Sequence, residues 1–271
     1  MRTDARAQAV HTKMLRGLPA MPLLLAALLL RGGLFRGVRT PPPTLTLADQ
    51  LLVISPGDCA SPEAAIRLGD VCASLAQAGV RRLLLREPHL SRRQLERLVN
   101  SLLPLYPREG LILHEKCVGA QSVASAHGLG LHLGSTSDWR ARREEFGGPL
   151  GVSAHSEAEV HHAALCGCQW AFLSPVGHPT SKPNDVRPPI GEAAVLRAQR
   201  ALPELDIMAL GGVTPARAAR LAAGGGRGVA VLGGIFRKGH DTTPPEAQAA
   251  AVAYLDSLAE VTKHARALHR P

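Results

Sequence analysis

From Leu51 onward the chain alternates short, continuously apolar runs with longer amphipathic stretches, and nothing else in it restricts the fold as strongly. A run that is apolar at every position predicts a strand covered on both faces. Strands separated by helices predict a parallel sheet. Eight runs read this way: Leu51 to Ile54, Arg82 to Arg86, Leu111 to Leu113, Leu129 to Leu133, Leu150 to Val152, Trp170 to Leu173, Ile207 to Leu210 and Val229 to Leu232. Residues 61–78 carry Ala65, Leu68, Val71 and Leu75 at helical spacing and stop at Gly79. Ser91 and Gln94 have the spacing of a capping box that opens a helix through Leu105. Further helices are predicted over Val118 to Ala126, Ser137 to Glu145, Ser156 to Leu165, Gly191 to Ala201, Thr214 to Ala223 and Pro245 to Ala267. Eight strand–helix units predict an α/β fold closed as a (β/α)8 TIM barrel of parallel strands, with an open doubly wound sheet as the competing architecture. No GxGxxG follows the first strand, which weighs against a dinucleotide fold. Barrels of roughly 200–250 residues form one domain, so residues 46–271 read as a single barrel domain.

Residues 1–45 differ in character. Basic residues flank the apolar run Leu18 to Leu30, and Pro41-Pro42-Pro43 follows. The run is shorter than the roughly 20 residues a bilayer span needs. It has the length of a signal-peptide core but lacks a small-x-small cleavage site, and basic residues follow directly. The segment reads as a disordered or mis-assigned extension, outside the fold, and no membrane partner is expected. The five cysteines are odd in number and show no paired or zinc spacing, which predicts reduced thiols in a cytoplasmic protein. The adjacent pair His161-His162 on a helix reads as solvated surface. The net charge of +9 is spread over helix arginines rather than interleaved with aromatics, which make up only 3% of the chain. This favours small anionic substrates over nucleic acid.

In a barrel the chemistry lies just past the C-terminal ends of the strands. Those positions hold Arg86-Glu87-Pro88, His114-Glu115-Lys116, His132-Leu133-Gly134, Ser153-Ala154-His155-Ser156, a loop from Ser174 to Lys182, Gly211-Gly212-Val213 and Gly233-Gly234. Two glycine pairs at consecutive strand ends let backbone N–H groups approach an anion, so Gly211, Gly212, Gly233 and Gly234 are candidate phosphate ligands. Lys182 could add a cation. Imidazole is the side chain suited to acid/base work near neutrality, so His155 is the candidate general acid/base. Arg86 suits a substrate carboxylate and Glu87 a proton relay, with His114 and Glu115 as weaker candidates of the same kind.

With those residues placed, the stretch from Leu51 to Phe236 resembles the thiamine-phosphate synthase/TenI family. The resemblance rests on Leu85-Arg86-Glu87, His132-Leu133-Gly134, Gly151 to Ser156, Thr180-Ser181-Lys182, Ala209 to Val213, and Gly228 to Val231 running into Ile235, all in order. It implies a phosphorylated thiazole ligand and one of two chemistries. The synthase joins a pyrimidine diphosphate to a thiazole phosphate with magnesium. Its second strand ends in Arg-Glu-Lys, its third in Asn-Asp-Arg, and an aspartate follows His-Leu-Gly. Here Pro88 stands for the lysine, His114 for the asparagine and Glu115 for the first aspartate, while Ser137 stands for the second with Asp138 adjacent. A synthase reading would make Glu115 and Asp138 the metal carboxylates. The parts retained, the glycine loops, Ser153 and Lys182, are those that hold the thiazole phosphate. His155 matches the histidine of TenI, a thiazole tautomerase that needs neither diphosphate site nor metal.

The resemblance therefore implies, first, a TenI-like tautomerase without a cofactor. His155 would be its acid/base, Glu87 a second proton carrier, Arg86 the carboxylate ligand, and His114 and Ser153 further substrate contacts. A divergent magnesium-dependent synthase comes second and a non-catalytic binder third. No nucleic-acid partner is implied, and a homodimer is left open.

Overall fold

The fold is described from a computed structural model, over residues 46, 49–178, 187–237 and 241–268. The expectations for residues 1–45, for Thr180-Ser181 and for Lys182 lie outside the described residues. In chain order the elements are β1 (Leu51–Ile54), α1 (Pro62–Gln77), β2 (Arg82–Leu85), α2 (Arg92–Leu102), β3 (Leu111–His114), α3 (Ala120–His127), β4 (Gly130–Leu133), α4 (Trp139–Glu145), β5 (Leu150–Ala154), α5 (Glu157–Leu165), β6 (Trp170–Leu173), α6 (Gly191–Ala201), β7 (Asp206–Leu210), α7 (Pro215–Ala223), β8 (Gly228–Val231) and α8 (Pro244–Leu268). Each strand pairs in parallel with its sequence neighbour. The pairing of Leu52 with Ala230 joins β1 to β8 and closes the barrel. Closure rules out the open doubly wound sheet.

The continuous apolar runs have a simple origin in the alternation of side chains along a strand. Leu51, Val53, Leu83, Leu85, Leu111 and Leu113 point outward and pack under the helices. Leu52, Ile54, Leu84, Ile112, Trp170, Phe172, Met208 and Ala230 point inward and fill the barrel. Both faces are buried, so neither parity can be polar along the strand. Each such side chain stabilises the fold by about 1.5–3 kcal/mol. At the N-terminal end of the barrel Asp206 pairs with Arg82 at 3.8 Å and Arg227 at 3.0 Å.

Local signals set the helix ends. Ser91 and Gln94 form the reciprocal capping box, and Ser156 and Thr214 cap α5 and α7 by accepting from Glu159 N–H and Arg217 N–H. Among the boundaries that differ from the sequence expectation, two have a plain backbone cause. Helix α2 stops at Leu102 rather than Leu105, because Pro104 has no N–H to continue the ladder. Helix α3 starts at Ala120 rather than Val118, since Gly119 at φ 77° turns the chain left-handed just before it.

Candidate active site

Residues that continue the inward parity past the strand ends form the barrel mouth. His114 follows Ile112, His132 follows Gly130, Ser153 and His155 follow Gly151, and Ser174 follows Phe172. His155 is half-buried. Its Nδ1 lies 2.9 Å from the Ser174 carbonyl and 3.2 Å from Ser174 Oγ. A carbonyl can only accept and a guanidinium can only donate, so the neutral ring carries its proton on Nδ1 toward Ser174 and accepts from Arg187 on Nε2. The main chain is held too, as His155 N–H donates to Glu159 Oε2 at 2.8 Å. Arg187 Nη1 approaches both ring nitrogens to 2.8 Å, placing a guanidinium beside the candidate base. Sequence reading missed Arg187 because it sits in irregular chain far from β5, where no periodicity marks it.

Deeper in the mouth His132 is only 1% exposed. Its Nδ1 receives the indole N–H of Trp170 at 3.0 Å and its Nε2 lies 2.9 Å from Ser153 Oγ. Burial, then the neighbouring His114, holds this imidazole well below its ordinary range. His114 lies 5.6 Å away, centroid to centroid, and accepts the Lys116 N–H on Nδ1. Burial and then the Arg86 guanidinium lower its pKa to about 4. Arg86 therefore lies close to the mouth. It crosses beneath Gly57, where a Cβ would come within 2.8 Å of its Nη1 and φ is +85°.

Glu87 requires a correction. It was expected to relay protons, yet it is fully buried and takes the outward parity of Leu83 and Leu85. Its two carboxylate oxygens accept the N–H groups of Gly57 at 2.9 Å and Cys59 at 3.1 Å. It braces the loop between β1 and α1 and does not face the mouth. Around it lie the buried thiols Cys59, Cys72 and Cys117; all five cysteines are free and buried. Burial pushes the Cys117 thiol up to about 11.

The carboxylates of the magnesium reading are each engaged in local hydrogen bonds. One oxygen of Glu115 accepts both the Gly134 N–H at 2.6 Å and the Ser137 hydroxyl at 2.5 Å. Asp138 is exposed and caps α4 by accepting from Ala141 N–H. Glu115 is thus held in the loop after β4, and Asp138 at the first turn of α4. Among the described residues the one grouping of three potential ligand side chains is Asp58, Cys59 and Glu87, on the braced loop.

The glycine pairs do converge. Gly211, Gly212, Gly233 and Gly234 line one cavity of about 230 Å³, together with His178 and Tyr254. Gly211 and Gly212 sit at φ 87° and 63°, and a Cβ on Gly212 would overlap the backbone of Gly177 and His178. On Gly234 it would overlap the Tyr254 hydroxyl, which itself donates to the Val213 carbonyl at 2.7 Å. The Gly212 carbonyl accepts from Arg217. The N–H groups of Gly212, Gly233 and Gly234 have no backbone partner among the described residues, as an anion cradle requires. Sequence reading did not single out His178 or Tyr254; each reaches the cavity from an element remote in sequence.

Comparison with known proteins agrees with this geometry. The family model described as thiamine monophosphate synthase matches residues 51–235. The thiamine-phosphate synthase of Bordetella avium is 31% identical over 186 residues, covering 66% of this chain and 82% of the relative. That of Geobacillus kaustophilus is 34% identical over 139 residues, 51% of this chain, and the match spans only 58% of that relative's length. A solved structure of a thiamine phosphate pyrophosphorylase from Pyrococcus furiosus superposes with TM-score 0.62 at 17% identity, covering 80% of this chain and 99% of the other, a likeness of fold. Among the described residues no helix is long and apolar enough to cross a membrane. With a family model spanning all eight strands and the glycine cavity in place, this chain belongs to the thiamine-phosphate synthase/TenI family of thiamine biosynthesis.

Proposed function

We propose that the protein is a TenI-like tautomerase acting on a thiazole carboxylate phosphate, without metal or cofactor, in the cytoplasm. The observation that carries this reading is the placement of His155: Nδ1 lies on the Ser174 carbonyl, and Nε2 faces the mouth beside the Arg187 guanidinium, which a substrate carboxylate would draw away from the ring. Such an imidazole can take a proton from one ring position of the substrate and return it at another, the only net change a tautomerisation needs. The glycine cavity accepts the phosphate, and Arg86 and Arg187 supply guanidinium groups for the carboxylate. His114 and Ser153 complete the polar lining.

A second reading is a divergent synthase, and the printed names of the curated relatives favour it. The mouth gives it less support. Stabilising a diphosphate leaving group needs concentrated positive charge, whereas Pro88 holds the lysine's position and Glu115 is tied to Ser137. One experiment separates the two. The purified protein is given the thiazole carboxylate phosphate, with and without pyrimidine diphosphate and magnesium, and the products are identified. Aromatised thiazole formed without magnesium, and lost with His155→Ala, supports the tautomerase. Thiamine phosphate formed only with magnesium and diphosphate refutes it.

A further inference from the structure

The centre of the mouth contains a chain of hydrogen bonds whose directions are all determined. Trp170 Nε1–H can only donate, and its partner 3.0 Å away is His132 Nδ1, which must therefore be unprotonated. The neutral ring then carries its proton on Nε2, which lies 2.9 Å from Ser153 Oγ. Protonating Nδ1 would set N–H against N–H in a ring that is 1% exposed and lies 4.2 Å, centroid to centroid, from Phe172. Ser153 Oγ thus accepts from His132, and among the described residues no other hydrogen bond involves it. Its own proton remains to be given away.

The neighbouring strands are shaped for this chain. The indole occupies space that a side chain at Gly130 or Gly151 would fill; a Cβ at Gly130 would lie 2.8 Å from the ring and one at Gly151 would overlap Nε1 itself. Two glycines on β4 and β5 therefore admit the tryptophan of β6. The nearest other titratable ring, His114, is neutral in the physiological range and adds no competing charge.

We propose that Trp170 and His132 act as positioning residues that hold one lone pair of Ser153 Oγ and turn its hydroxyl proton to the barrel mouth as a hydrogen-bond donor. A free serine hydroxyl can serve either polarity; this one selects a substrate atom that accepts. On the thiazole carboxylate phosphate that atom is a carboxylate oxygen or an unprotonated ring nitrogen. The choice of ligand rests on the function proposed above, whereas the direction of the relay does not.

The test has two independent parts. In the unliganded wild-type chain, nitrogen NMR should show His132 with Nε2 protonated and Nδ1 bare, unchanged between about pH 5 and 8, where an ordinary histidine titrates. In binding and kinetic assays with the thiazole carboxylate phosphate, His132→Ala and Ser153→Ala should each weaken kcat/KM by roughly tenfold, the worth of one oriented hydrogen bond. The double variant should lose no more than either single one. His132→Gln, whose amide can donate from the Nε2 position, should recover most of the loss, which a merely structural role would not produce. An Nδ1–H tautomer, a titrating ring, or His132→Ala with wild-type affinity and turnover would overturn the relay. If wild type binds the thiazole without turnover, the tautomerase reading fails, and the tautomer and the affinities of the variants still decide the relay.

Discussion

Replacing Glu87 separates a brace from a proton carrier, because the two roles predict losses in different measurements. Its carboxylate satisfies two N–H groups, those of Gly57 and Cys59, at 2.9 and 3.1 Å, with no exposed surface on the residue. Truncation in Glu87→Ala leaves both donors unpaired, the Cys59 N–H buried and the Gly57 N–H half-buried. At about 1–3 kcal/mol for each orphaned group, even a loop that relaxes to recover part of the loss should cost about 3 kcal/mol. For a chain of this size that corresponds to a drop of roughly 6–12 °C in Tm. Glu87→Gln keeps one acceptor but turns an amide N–H₂ toward the other donor, so it should be destabilised as well, by about 1–3 kcal/mol. Thermal and urea unfolding measure these shifts, and turnover assayed well below Tm should fall much less than stability does. A Glu87→Gln protein with wild-type Tm and abolished turnover would refute the brace and restore the proton-carrier role.

The remaining predictions concern charge and the anion cradle. His114 has its pKa lowered from 6.5 to about 4 in the folded state, so the unfolded chain binds the extra proton between those values. Stability contributed by neutral His114 is therefore fully present above about pH 6.5 and is lost as pH falls toward 4, and His132 acts in the same direction. Urea midpoints measured across that window should decline with acid, and His114→Gln should flatten part of the slope; an equally steep decline in the variant would refute it. Gly212→Ala must accommodate φ 63° and the backbone of Gly177 and His178, so calorimetry should show affinity for a thiazole phosphate down by at least roughly tenfold while the far-ultraviolet dichroism stays that of the barrel. Arg187→Gln should raise KM for a carboxylate-bearing thiazole by roughly tenfold and leave inorganic phosphate binding unchanged, since its guanidinium lies at His155; equal losses for both ligands would contradict that placement.

Much of this site was legible in the chain because barrel geometry sends strand ends to one rim. The glycine pairs could be read directly, as Gly211-Gly212 and Gly233-Gly234 end consecutive strands and those ends are neighbours in a closed sheet. His155 could be read for the same reason. Glu87 was misread because it was judged by its nearness to a strand end rather than by parity: Leu83 and Leu85 already point outward, and Glu87 continues them. Glu115 follows Leu113 in the same way. That signal was present in the sequence. His178 lies in the loop after β6 that the same strand-end rule marks, whereas no comparable signal marked Arg187 or Tyr254.

The sequence by itself determined the alternation of strand and helix, the capping of α2, α5 and α7, and the positions where only glycine fits. These depend on neighbours a few residues apart, through period and backbone conformation. The tertiary structure alone decided that Trp170, thirty-eight residues from His132, orders its ring nitrogens, and that Asp138 caps α4. Those outcomes depend on which groups the closed barrel brings within 3 Å of one another, and a hydrogen bond across strands leaves no periodicity in the chain.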